Sequence, residues 1–211
     1  MKTLLRALAI ATVFATSNVY AGQIALPTSL DTLLPDGDFA MVGDLKFDNF
    51  NYIFGGDMPA AVQINVEEVS GGIRFTGPFL DLPGGVGNGA SDATLGFTVT
   101  GSISEVILSG NPSLLGGIGT GVAAVTETFA GDPTTKLDIF DQGAGVNLIA
   151  SASIPATSSL TVIKDILLLS QDPVESATLS VIEQRFVPEP TTFSMVLMGL
   201  GCWVGLLRRR R

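Results

Sequence analysis

Histidine is absent from all 211 residues of the sequence, and cysteine occurs once, at Cys202 in an apolar C-terminal stretch. Without these residues no Ser-His-Asp or Cys-His nucleophile system can be built, and neither can a histidine-rich metal site or a thiolate zinc site. A disulfide framework is excluded as well, and no cofactor is expected. The one tryptophan, Trp203, lies in the same C-terminal stretch, which leaves little of the aromatic platform that stacks on sugars. Positive charge is scarce too. Between residues 22 and 187 the basic residues are Lys46, Arg74, Lys136, Lys164 and Arg185, set against nineteen acidic ones. That balance repels phosphate backbones and excludes nucleic acid as a partner. It suits solubility outside a cell or the capture of cations.

What the sequence does carry is concentrated at its ends. Lys2 and Arg6 begin a short positive region, Ala7 to Ala15 is almost entirely apolar, and Val19-Tyr20-Ala21 offers small or slender residues to a signal peptidase. This is the layout of a secretory signal peptide over 1–21, with cleavage between Ala21 and Gly22. The apolar core is too short to span a bilayer as an ordinary membrane helix. At the other end, the 15 residues from Phe193 to Leu207 form an apolar run that as a helix is about 22 Å long. A hydrocarbon core is about 30 Å thick, and Thr191, Thr192 and snorkelling arginines can make up the difference. A buried core helix does not fit, because Arg208, Arg209, Arg210 and Arg211 must reach water and no amphipathic stripe is present. The arginines point to the cytoplasm by the positive-inside rule, so the body lies on the far side of the inner membrane.

Pro188-Glu189-Pro190, the apolar run and the arginine cluster occur in the order and spacing that resemble the PEP-CTERM sorting signal of exported proteins in Gram-negative bacteria. The resemblance implies recognition by an exosortase, a membrane-embedded cysteine protease or transpeptidase. Such an enzyme would cut near Pro188-Glu189-Pro190 and release or re-anchor the body at the cell surface or outside it. It further implies association with exopolysaccharide and biofilm matrix. The segments Asp44 to Tyr52, Ile73 to Phe79 and Ala124 to Phe129 resemble a body that recurs among PEP-CTERM proteins, and this bears on fold alone.

The body, residues 22–187, is one domain of ordinary size that buries about 70% of its unfolded surface without metal or disulfide. Short β-type runs alternate with Gly, Pro, Asp and Ser punctuation. Val62, Ile64 and Val66 alternate with polar residues, as do Leu95, Phe97 and Val99. Further strands are expected over 39–54, 73–80, 102–108, 122–130, 136–141, 146–153, 160–170 and 177–187. About ten strands at this spacing predict two antiparallel sheets packed as a β-sandwich, jelly-roll or Ig-like, with a barrel as the second choice. Pro78 with Pro83-Gly84-Gly85, Asn111-Pro112, Gly116-Gly117, Asp132-Pro133 and Asp172-Pro173 are expected to mark connections.

Candidate sites in the body have plainer explanations beside them. Asp36-Gly37-Asp38, with Asp31, offers carboxylates to calcium, but Asp-Gly is also what a tight turn requires, and the turn is preferred. The runs Gly84 to Gly89 and Gly116 to Gly121 lack the strand-to-helix context of a phosphate loop and are expected as loops. Glu67, Glu68, Glu105 and Glu127 are the carboxylates from which a matrix glycosidase would draw its acid and base. Alternation puts Glu127 beside Val125 and Phe129 on the core face, where a bulge or a pairing with Arg74 or Arg185 would accommodate it. Phe50, Tyr52 and Phe54 form an aromatic strip better explained by core packing than by sugar stacking. The expectation is therefore a non-enzymatic exported protein, structural at the surface or in the matrix. A carbohydrate- or calcium-binding module is the alternative.

Overall fold

The computed structural model describes residues 22–83, 89–116 and 120–189. The expected signal helix and the apolar run 193–207 lie outside these residues, and among the described residues no helix is long and apolar enough to cross a membrane. Twelve strands follow one another: β1 (Thr28–Ser29), β2 (Phe39–Val42), β3 (Leu45–Phe54), β4 (Asn65–Val69), β5 (Gly72–Asp81), β6 (Ser91–Gly110), β7 (Ser113–Leu115), β8 (Val122–Phe129), β9 (Asp132–Asp141), β10 (Val146–Asn147), β11 (Ile149–Leu169) and β12 (Ser176–Val187). Two 3₁₀ turns, Leu30–Thr32 and Ala61–Gln63, are the helical pieces among the described residues.

The domain is all-β and antiparallel, as expected, but its layers are not two separate sheets. All twelve strands join one sheet in the order β1-β4-β5-β12-β6-β11-β8-β9-β10, with β2 and β3 attached beside β6, and β7 beside β12. The reason is the length of β6 and β11, 20 and 21 residues. On the edge away from β11, β6 pairs with β3 from Ala93 to Thr100 and then with β12 from Glu105 to Gly110. Gly101 sits at the changeover, where an added Cβ would lie 2.5 Å from Leu45 Cδ2. The register between β11 and β6 slips over Ser153 to Ser159, around Pro155, which has no N–H to give to a ladder. The sheet thus folds over on itself, and its halves are held face to face by an aromatic cluster. Phe97 of β6 lies 5.9 Å from Phe75 of β5, and Phe47 of β3 lies 5.9 Å from Phe186 of β12, ring centre to ring centre.

Alternation governs which side chains face the interior, and bulges reset it. Ala123, Val125, Glu127 and Phe129 of β8 point inward, as do Leu160, Val162, Lys164, Ile166 and Leu168 of β11. In β3 one extra residue between Asp48 and Asn51, with Asn49 at φ 53°, lets Phe47 and Phe50 both face the core.

Local irregularity also accounts for the expectations that differ. The run 39–54 is a β2–β3 hairpin turning at Gly43-Asp44, while 95–100 and 102–108 are one strand. Most of 146–153 and 160–170 likewise fuse into β11. Val62 stands in a 3₁₀ turn and is 64% exposed, so only Ile64 and Val66 of that trio are buried. Pro78 is no connection. It lies in β5 where the register with β12 slips, a position that tolerates a missing donor.

Phe97 touches Phe47, Phe50 and Phe75 at ring separations of 6.0, 5.7 and 5.9 Å and is fully buried. Phe97→Ala is expected to destabilise the fold by about 3–5 kcal/mol, read from urea unfolding.

Candidate functional site

Between the two halves of the folded sheet, three polar side chains occupy positions that the pattern reserves for apolar ones. Glu127 of β8 and Lys164 of β11 are directly opposite each other in the ladder, and both face inward. Gln184 of β12 reaches them from the opposing half. Lys164 Nζ donates to Glu127 Oε2 and, at 2.5 Å, to Gln184 Oε1. All three residues have no exposed surface. Phe97 closes one side, with its ring centre 5.9 Å from Nζ. Glu127 Oε1 and Gln184 Nε2 find no hydrogen-bond partner. Burial pushes the Glu127 carboxyl above its ordinary range against the pull of Lys164, and pushes the Lys164 ammonium below its own against the pull of Glu127. Both displacements favour the neutral forms of the pair, an amine and a carboxylic acid beside the carboxamide.

This cluster revises the expectation for Glu127, whose partner is neither Arg74 nor Arg185. A register shift does occur beside it, between Thr128 and Phe129, yet Glu127 keeps its inward place. Sequence reasoning missed Lys164 and Gln184. The signal for Lys164 was the same alternation that marked Glu127, since it stands between Val162 and Ile166 on an inward face.

The other candidate residues are not gathered into one site. Glu67 is half-buried on β4 and lies 4.0 Å from Arg74, while Glu68 faces the other way and is exposed. Glu105 stands opposite Val187 on β6. With Glu127 sealed inside, these four carboxylates do not share a cleft. Asp36 and Gly37 form a turn closed by Asp38 N–H donating to Pro35 O at 3.2 Å, and Gly37 has a φ of 91°. Among the described residues no group of three or more Asp, Glu, Cys or His side chains is arranged to hold a metal ion. The aromatic strip grades outward: Phe50 is buried against Phe97, Tyr52 is half-buried and donates to Pro59 O at 2.9 Å, and Phe54 is 47% exposed, stacked on Tyr52. Residues 84–88 and 117–119 of the two glycine runs lie outside the described residues.

At the termini, Gly22 is already tied to the fold, its carbonyl accepting from Phe39 N–H at 2.9 Å. Ala21 lies outside the described residues. The last strand ends at Val187, and Pro188 and Glu189 follow it exposed, beside a cleft of about 480 Å³ lined by Val42, Leu45, Val69 and Phe186. Pro190 and the arginines 208–211 lie outside the described residues.

Residues 186–211 match the PEP-CTERM protein-sorting motif. The match begins where β12 closes the body, and it marks the chain for sorting by an exosortase. No curated protein matches the sequence. Two solved structures show a distant likeness. One is TmCBM61 in complex with beta-1,4-galactotriose, 8% identical, with a TM-score of 0.32 and a match covering 64% of this chain and 88% of that one. The other is an exo-beta-1,3-galactanase from Phanerochaete chrysosporium with galactose, 12% identical, with a TM-score of 0.20 and a match covering 71% of this chain and 43% of that one. Likeness at this level carries no conclusion about this chain.

A second charged group lies on the outer side of β12. Arg74 donates to Glu183 Oε2 through Nε at 2.9 Å and Nη2 at 2.6 Å, and Arg185 pairs with Oε1 of the same carboxylate. Burial works to raise the Glu183 carboxyl, but the hydrogen bonds from Arg74 and Arg185 outweigh it and hold the group below its ordinary value. A carboxyl held below its unfolded value of about 4.3 contributes stability that is complete above that pH and is lost as pH falls through the folded value. Melting temperature measured from about pH 6 down to about pH 3 is therefore expected to fall less steeply for Glu183→Gln than for the parent chain.

Proposed function

We propose that this protein is an exported structural component of the cell surface or extracellular matrix, processed at both ends. In this reading a signal peptidase removes 1–21 after Ala21, and the helix 193–207 holds the chain in the inner membrane. Arg208 to Arg211 stay in the cytoplasm while the body 22–187 stands in the periplasm. An exosortase then cuts near Pro188-Glu189-Pro190, and the body passes to the surface or the exopolysaccharide matrix. The observation that carries this reading is the sorting motif over 186–211, which begins as the last strand ends. Exposure of Pro188 and Glu189 supports it, because a protease can approach that segment without unfolding β12. The body is given no reaction on an outside substrate, since Glu127 is buried away from any such substrate.

A carbohydrate-binding module is the second reading, and the exposed ring of Phe54 stacked on Tyr52 favours it. Calorimetry with matrix polysaccharide, and with calcium, separates the two readings, and silence in both removes the second.

Mass spectrometry of protein recovered from outside the cell is expected to give Gly22 at the N-terminus and a C-terminus at or near Pro188-Glu189-Pro190. Replacing those three residues by alanine is expected to leave the 193–207 helix attached and the chain in the membrane fraction. Intact chains running from Met1 to Arg211 in the cytosol would contradict the proposal.

A further inference from the structure

We infer that Lys164 and Gln184 are joined by an intramolecular isopeptide bond formed within the folded body, with Glu127 as the proton carrier. Three independent features of the cluster point to it. The first is composition: an amine, a carboxamide and a carboxyl group meet in one place and share no surface with water. The second is distance. Nζ lies 2.5 Å from Gln184 Oε1, and a carbonyl bond of about 1.2 Å therefore keeps Nζ within about 3.7 Å of the carbonyl carbon. Reacting atoms held about 3–3.5 Å apart in a rigid site gain much of their rate from that placement alone. The third is the pair of unpartnered atoms. Gln184 Nε2 and Glu127 Oε1 make no hydrogen bond, a state that among the buried side-chain atoms of the described residues is shared with Glu175 Oε1 alone, and this leaves the leaving nitrogen and a proton-accepting oxygen unengaged.

The chemistry balances without any outside reagent. Burial disfavours the charged form of both groups, which favours the proton on Glu127 and a lone pair on Lys164, the form from which the reaction starts. Nζ attacks Gln184 Cδ, forming the C–N bond, while the Glu127 proton passes to Oε1. Glu127 then takes a proton from Nζ and delivers it to Nε2. The Cδ–Nε2 bond breaks with its electron pair on nitrogen, ammonia leaves, and the proton on Oε1 returns to Glu127 as the carbonyl reforms. One N–H of the lysine has become one N–H of ammonia, and Glu127 ends as it began. The roles are not interchangeable. A carboxamide has no titrating proton, so only Glu127 can carry protons, and Gln184 is left as the acyl group.

The bond would tie β11 to β12, strands from the two facing halves, in a body that has no cysteine between residues 22 and 187 with which to form a disulfide. It does not depend on how the tail is processed.

Trypsin makes the test direct, because Lys136, Lys164 and Arg185 are successive cleavage sites. In the digest of the purified full-length protein, a joined chain yields Leu137 to Arg185 as one peptide, uncut at Lys164 and lighter than its sequence by one ammonia. Fragmentation then locates the branch at Lys164 and Gln184. Glu127→Gln, with its fold checked by circular dichroism, is expected to lose that peptide and give Leu137–Lys164 and Asp165–Arg185 at full mass. The same two separate peptides from the parent chain would overturn the inference whether or not the variant folds. A Leu137–Arg185 peptide uncut at Lys164 and joined to Phe75–Lys136, the pair lighter by one water, would overturn it too, since Glu127 would then be the acyl group.

Discussion

Cross-strand register between β8 and β11 decides the character of this core. With Val162 opposite Phe129 and Ile166 opposite Val125, Lys164 stands in the ladder between Leu95 of β6 and Glu127 of β8, and the pleat turns Lys164 and Glu127 toward the interior. Burying two charges costs several kcal/mol each, more than their attraction commonly returns, unless further hydrogen bonds or proton transfer relieve them. Here Gln184 supplies one such bond from the facing half, and burial presses the pair toward its neutral form. A one-residue slip would turn Lys164 to solvent and bring Ile163 and Asp165 inside, so the cluster and the register stand or fall together.

The folded-over sheet makes that meeting possible. β6 and β11 run through both halves, and the bends near Gly101 and Pro155 bring β12 across from β8 and β11. β12 is then held on one edge by β5 and on the other by β6 and β7. It also leads directly into the sorting motif, which begins within its last two residues. The strand that carries Gln184 inward and Glu183 outward is thus the one through which the body is attached to its tail. Any pull on the tail is met first by a strand laddered on both sides, clamped outside by Arg74 and Arg185 and tied inside to Lys164.

Much of this was legible in the residues, for definite reasons. Period-two alternation over Val122 to Phe129 gave the strand and pointed Glu127 inward, because an inward face is written in every second residue. The partner was misread because Arg74 and Arg185 looked like the natural counter-charges, whereas both are engaged by Glu183 on the outer side of β12. Lys164 followed the same alternation, but a lysine among leucines and isoleucines on a long strand reads as an interruption rather than a core residue. Gln184 could not be read at all, since its closeness to Lys164 depends on how the sheet folds over. Bulges were equally hidden. The extra residue at Asn49-Phe50 and the slips at Pro78 and Pro155 shift the inward phase within a strand, and a fixed period misses them. The sorting motif was the opposite case, since order and spacing along the chain define it without reference to the fold.

Amine-selective acetylation of the native protein, followed by peptide mapping, tests the sealed cluster most directly. The side chains of Lys46 and Lys136 are 41% and 54% exposed, whereas that of Lys164 is not exposed at all. Modification of Lys46 and Lys136 with none at Lys164 is the predicted result. Acetylation of Lys164 at a rate comparable with Lys136, in protein still folded, would contradict the account.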